Sequence, residues 1–176
     1  MLAVIDTNVM IVANRKESPQ ASEDCILACI HYLQSARQTT LIVIDDQWHI
    51  LGEYKNKISA TGQPGVGDAF FKWILTNLAN PNRCCQVHIT QLSDGNFLEF
   101  PNDPALADFD PSDRKFVAVA IAHSGKPSIY NAVDSDWLPV KEELAHRGVI
   151  IEFLCSELSS NKGSLQKAFV KSIFNR

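Results

Sequence analysis

Short apolar runs alternate along the chain with longer amphipathic stretches. Leu2-Ala3-Val4-Ile5 runs into Asp6-Thr7-Asn8, and Leu41-Ile42-Val43-Ile44 runs into Asp45-Asp46. Both read as buried strands. Gln86 to Thr90 alternates polar and apolar residues and predicts a third strand, while Ser128 to Val133 and Val149 to Leu154 predict two more. The stretches between them carry helical spacing. Ser18-Pro19 offers an N-cap with proline at the first helical position, followed by Ile26, Ile30 and Leu33 as far as about Arg37. Trp48, Leu51, Tyr54 and Ile58 share a face until Gly62-Gln63-Pro64-Gly65 breaks it. Val66, Phe70, Trp73, Ile74 and Leu78 form the next helix, ended by Asn80-Pro81. Asp110-Pro111-Ser112-Asp113 opens a helix through Phe116 and Val117, with Asp110 as its N-cap, and Leu138 to His146 is a short one. The last runs from Ser164 to Phe174, with Leu165, Phe169 and Ile173 on one side and Lys167 and Lys171 on the other.

Strands alternating with helices imply βαβ units and a parallel sheet covered on both faces. The expected fold class is α/β, a three-layer α/β/α sandwich with a central, mostly parallel sheet. Residues 1–154 form its domain, and 155–176 a C-terminal extension with a short basic amphipathic helix. Residues 91–110 lack periodicity. No Lys or Arg stands between Arg83 and Arg114, yet Asp94, Glu99, Asp103, Asp108, Asp110 and Asp113 do, which reads as a solvated acidic loop.

A chain of 176 residues suits one domain, and 45% hydrophobic with 20% charged residues excludes disordered and fibrous classes. No apolar run is long enough to cross a membrane. The first residues lack the basic region of a signal peptide, so a cytoplasmic location is expected. The net charge of −4 argues against a basic surface for nucleic acid, unless the acids hold cations that reverse the local field. Of the five cysteines, Cys84 and Cys85 are too close for an ordinary disulfide, and no CxxC spacing points to zinc. Cys25 and Cys29 stand one helical turn apart in an apolar stripe, and all five are expected as buried free thiols of a reducing compartment. The five histidines are scattered, with no metal-ligand spacing.

Candidate chemistry lies in the acids. Asp6, Asp134 and Asp136 each follow an apolar strand, and ligands of open parallel sheets bind outside the strands' carboxyl ends. Asp113 begins a helix and Glu53 lies on the helix after the second strand. Such carboxylates, if gathered, would repel one another. Hard divalent cations relieve that repulsion, and all-oxygen donors suit Mg2+ or Mn2+.

These residues also carry a resemblance. Val4-Ile5-Asp6-Thr7-Asn8-Val9, Glu53 within Trp48 to Tyr54, Asp113-Arg114-Lys115-Phe116-Val117-Ala118-Val119-Ala120 and Val133-Asp134-Ser135-Asp136-Trp137 resemble, in order and spacing, the PIN-domain nucleases. The resemblance covers roughly residues 1–154. It implies a metal-dependent endoribonuclease acting on single-stranded RNA. Asp6, Glu53, Asp113 and Asp134 would form the catalytic metal site with Mg2+ or Mn2+, and Asp136 would be an accessory acid. Thr7 and Asn8 would support the site, Asn8 by a side-chain hydrogen bond to Asp6. Arg114 and Lys115 beside Asp113, with Lys55 and Lys57 after Glu53, are the cations best placed to hold RNA. Small relatives commonly act as toxins with an antitoxin-like protein partner. The C-terminal helix could pack on the body, pair two subunits as a homodimer, or grip RNA.

The family's polar pair before the acid matching Asp134 is Ala132-Val133 here. That favours the alternative of a catalytically weak or inactive domain that binds RNA or a protein partner. A strand ending in Asp also suits a phosphoryl-accepting enzyme. Asn8, standing where a DxD phosphatase has its second Asp, counts against that.

Overall fold

The computed structural model describes residues 1–16, 21–62 and 65–155. Five strands, β1 (Leu2–Ile5), β2 (Leu41–Asp45), β3 (Cys84–Val87), β4 (Ser128–Asn131) and β5 (Ile151–Phe153), form one sheet in the order β3-β2-β1-β4-β5. Every adjacent pair is parallel. α1 (Thr7–Ala13) and α2 (Glu23–Thr39) link β1 to β2, and α3 (His49–Lys57) and α4 (Val66–Asn77) link β2 to β3. α5 (Arg114–Ala122) leads into β4, and α6 (Lys141–His146) joins β4 to β5.

From β1 the chain steps outward to β2 and β3, then returns to the other side of β1 for β4 and β5. Right-handed crossovers place the helices of the two halves on opposite faces, which gives three layers. α1, α2 and α4 pack on one another, while α5 lies on β1, β2 and β4. The central strands are buried on both faces, as their unbroken apolar runs require. Their order reverses between β1 and β4, so the carboxyl ends of these two strands flank an open crevice. α3 touches both α1 and α5, and the Tyr54 hydroxyl donates to the carbonyl of Ile5, which brings α3 to that edge.

Several elements depart from the sequence pattern. α1 was not foreseen; it starts directly after Asp6, whose carboxylate accepts the Asn8 amide as its cap. α2 starts at Glu23 and is capped by Ser22, while Ser18-Pro19 lies outside the described residues. β3 begins two residues before the alternating segment because it pairs with β2, from Ile42 opposite Cys84 to Asp45 opposite Val87. The helix from Ser164 to Phe174 and nearly all of 155–176 lie outside the described residues.

The segment 91–110 is irregular as read, but it is anchored rather than simply solvated. Phe97, Phe100, Leu106 and Phe109 are buried. Phe109 meets the Trp137 ring edge-on with centroids 4.9 Å apart, and stacks on Phe100 at 6.2 Å. On the opposite side of the fold α1 and α4 approach closely. A Cβ on Gly67 would lie 2.2 Å from the Met10 carbonyl oxygen, so only glycine fits there. Beside it, fully buried Asp68 accepts hydrogen bonds from Asn14 and from the amides of Ser59 and Gly65.

The cysteines correct one expectation. Cys25 and Cys155 form a disulfide with Cα atoms 4.7 Å apart, across a sequence separation of 130. No local spacing encodes that pairing: the fold brings the first turn of α2 to the residue just beyond β5. Cys29, Cys84 and Cys85 lie outside it. A bond closing so long a loop restricts the unfolded chain strongly, so Cys155→Ser is expected to cost about 2–4 kcal/mol. Urea unfolding in oxidising buffer checks this; equal midpoints for variant and parent would contradict it. Among the described residues, no helix is long and apolar enough to cross a membrane.

Candidate metal centre

The acid-bearing residues converge on the crevice between β1 and β4. Asp6 follows β1, Asp134 caps the 3-10 turn Ser135–Trp137 just beyond β4, and Asp113 immediately precedes α5. One carboxylate oxygen from each lies within 4.8 Å of the others. Asp6 is 3% and Asp113 8% exposed, and Asp134 is half-buried. None of the three belongs to an ion pair among the described residues.

Each acid is aimed by the backbone around it. The Asn8 amide donates to one oxygen of Asp6 at 2.9 Å and the Asn131 side chain to the other at 3.2 Å. Asn131 also accepts the Asp134 amide at 3.1 Å, so this fully buried residue at the end of β4 joins two acids. Sequence reasoning missed it; its one signal was a polar residue inside the apolar run from Ser128 to Val133. The Asn8 side chain does not reach Asp6 as expected. Its Oδ1 accepts the Ala132 amide at 2.7 Å, which ties α1 to the chain after β4, and its buried Nδ2 has no hydrogen-bond partner among the described residues.

The sequence pattern makes Asp113 the third residue of a helix capped by Asp110. Instead Asp110 accepts the Ser112 amide in a separate turn. Asp113 stands at the N-cap of α5 with αR backbone and makes no side-chain cap. Its carboxylate is thereby left for the cluster. Asp45 is the contrasting case. It also ends a strand, yet its carboxylate is occupied by the amides of Gln47 and of His49 and Ile50, the first two residues of α3.

Glu53 comes to the rim of the cluster but is otherwise engaged. The Thr7 hydroxyl donates to one of its oxygens and the Lys115 ammonium pairs with the other. Thr7 touches the acids only through Glu53. Lys115 is buried and also donates to the Ser112 carbonyl, so its charge is spent inside the fold. Arg114 is engaged too. It donates to the carbonyls of Ala107 and Phe109, and its guanidinium lies 4.9 Å over the Phe100 ring. Neither presents its charge as the sequence suggested, because successive helical residues point in different directions. Lys55 and Lys57 are exposed on the last turn of α3. Asp136 is exposed and lies outside the group of three; its amide donates to Asp134.

The electrostatics follow from this crowding. Burial, then the charges of Asp113, Asp134 and Glu53, push the Asp6 carboxyl well above its ordinary range, against the Asn8 amide. Burial and the charges of Asp134, Glu53 and Asp110 raise Asp113 to about 7, although Lys115 pulls it down. Asp134 is raised chiefly by burial, with the Asp136 amide opposing. A cavity of about 560 Å³ at the foot of the 91–110 segment adds Asp108, Asp110 and Asp136 to its lining. An all-oxygen donor set, clustered, largely buried and in no ion pair among the described residues, fits a hard divalent cation. Compared with protein-family models, curated proteins and solved structures, the chain has no match.

Proposed function

We propose that the protein is a PIN-like, metal-dependent endoribonuclease hydrolysing phosphodiester bonds of single-stranded RNA. Asp6, Asp113 and Asp134 would hold Mg2+ or Mn2+. The observation that carries this reading is the meeting of three carboxylates, from three separate stretches of chain, at the sheet's switch point with none of them in an ion pair among the described residues.

When bound, such an ion lowers the pKa of coordinated water and polarises a phosphoryl oxygen. The chain supplies the rest. Asn8 and Asn131 fix both oxygens of Asp6, and Asn131 fixes the turn that carries Asp134. Glu53 adds negative potential at Asp6 and Asp113, which favours a cation between them. Lys55 and Lys57 offer exposed positive charge to the strand's phosphates.

With Mn2+, the purified protein is expected to cut a single-stranded RNA oligonucleotide, and Asp6→Asn to reduce cutting to background. A second reading, a domain that binds RNA or protein without cutting, is favoured by one feature: Thr7 and Lys115 already occupy both oxygens of Glu53. Protein that binds Mn2+ yet leaves every RNA intact would establish that reading instead.

A further inference from the structure

We propose that Cys25, Cys29 and Cys155 form, once the Cys25–Cys155 disulfide is reduced, a buried site for one thiophilic cation, with Cu+ as the ion its chemistry fits. The three sulfurs lie within 4.8 Å of one another, and the residues are 1%, 0% and 1% exposed. They lie on α2 and just beyond β5, and none belongs to the acid cluster.

The framework sets the ligands in advance. Cys25 and Cys29 are four residues apart on a helix of 17 residues, so they project toward the same side one turn apart. Cys155 follows β5, whose position is fixed by its pairing with β4. Metal–thiolate bonds of about 2.3 Å imply sulfurs ~4 Å apart in a trigonal centre. Reduction frees the bonded sulfurs of Cys25 and Cys155 to move apart toward that value by rotation about their Cα–Cβ bonds, with Cys29 already within 4.8 Å of both. No histidine or carboxylate among the described residues joins the three sulfurs. An all-sulfur set of three suits soft Cu+ better than Zn2+, which takes a fourth ligand. Cys25 lies in the first turn of α2, where helix amides favour the thiolate, while the exposed Glu23 and Asp24 oppose it.

The balance is simple. A dithiol reductant gives two electrons and two protons to Cys25 and Cys155, leaving two thiols, and becomes a cyclic disulfide. Each thiol that then ligates as thiolate releases its proton to solvent. The disulfide and the ion compete for the same sulfurs, so binding is confined to the reduced protein.

The test uses the full chain, reduced anaerobically with dithiothreitol and freed of reductant, and titrated with Cu+ held by a chromogenic chelator. The expected result is removal of one equivalent of Cu+ by reduced protein. Oxidised protein, and reduced Cys29→Ser or Cys29→Ala, should bind at least tenfold more weakly. The pair Cys84→Ser/Cys85→Ser should leave binding unchanged. Circular dichroism of each variant, compared with the parent, keeps a folding defect distinct from a lost ligand. Four results would overturn the proposal: Cu+ left on the chelator by reduced, folded parent; equal binding by oxidised protein; binding that follows Cys84 and Cys85 instead; or no loss on replacing Cys29 in a folded variant.

Discussion

Metal-free protein is expected to lose stability as pH rises from about 4 to about 8, and Asp113→Asn to remove the part of that loss that Asp113 contributes. Asp113 titrates near 7 in the folded protein, against 3.8 for an unperturbed Asp side chain. Between those values the native state holds a proton that the unfolded state has released. Stability therefore falls with rising pH. The contribution is fully present below about 4 and is lost as pH passes through 7. For Asp113 alone it is on the order of 4 kcal/mol, and Asp6 and Asp134 shift in the same direction. Asn at position 113 removes the charge and, because Asp113 caps no helix, sacrifices no side-chain cap. At pH 8 the variant should be more stable than the parent; at pH 4 the two should agree. Adding Mn2+ at pH 8 should stabilise the parent and leave the variant nearly unchanged. Urea unfolding across this range measures all of it, and a flat pH profile for the metal-free parent would refute the electrostatic account of the cluster.

Lys115→Met should be the most damaging single change near the site. It leaves Glu53 without its cation, beside three carboxylates and below the surface. Removing one partner of a buried pair costs about 3–5 kcal/mol. Glu53 retains some solvent contact, with 24% of its side chain exposed, so about 2–3 kcal/mol is expected here. Asp113 should titrate higher still, since Lys115 is what pulls it down. Glu53→Gln in the same chain should restore most of the stability, because the neutral amide can keep the Thr7 contact without needing a counter-ion. A double-mutant cycle reads the coupling; additive losses would mean that the pair contributes nothing jointly.

What the sequence disclosed depended on how local the information was. The sheet was readable because β1 and β2 are unbroken apolar runs, and Asp6 and Asp134 because each stands just past a strand. α1 was hidden: Val9-Met10-Ile11-Val12 continues the apolar run of β1 with only Asp6-Thr7-Asn8 between, so nothing marks a change of periodicity. β3 was misplaced because its ends follow its partner β2, not its own alternation. Asn131 was missed because its value lies in touching residue 6, far away in sequence. Arg114 and Lys115 stand beside Asp113 in sequence, but their side chains turn to the 91–110 segment and to Glu53. Cys25 and Cys155 met through the fold alone.

Asp113, Arg114 and Lys115 are consecutive, yet they serve the acid cluster, the aromatic-anchored segment and α3 respectively. One turn of backbone thus acts as a mechanical coupling between three bodies. Anything that lifts the segment, Phe109 included, away from Trp137 must pull on Arg114 and so twist the mount of Asp113. A long molecule lying across that segment would be felt at the carboxylates without touching them.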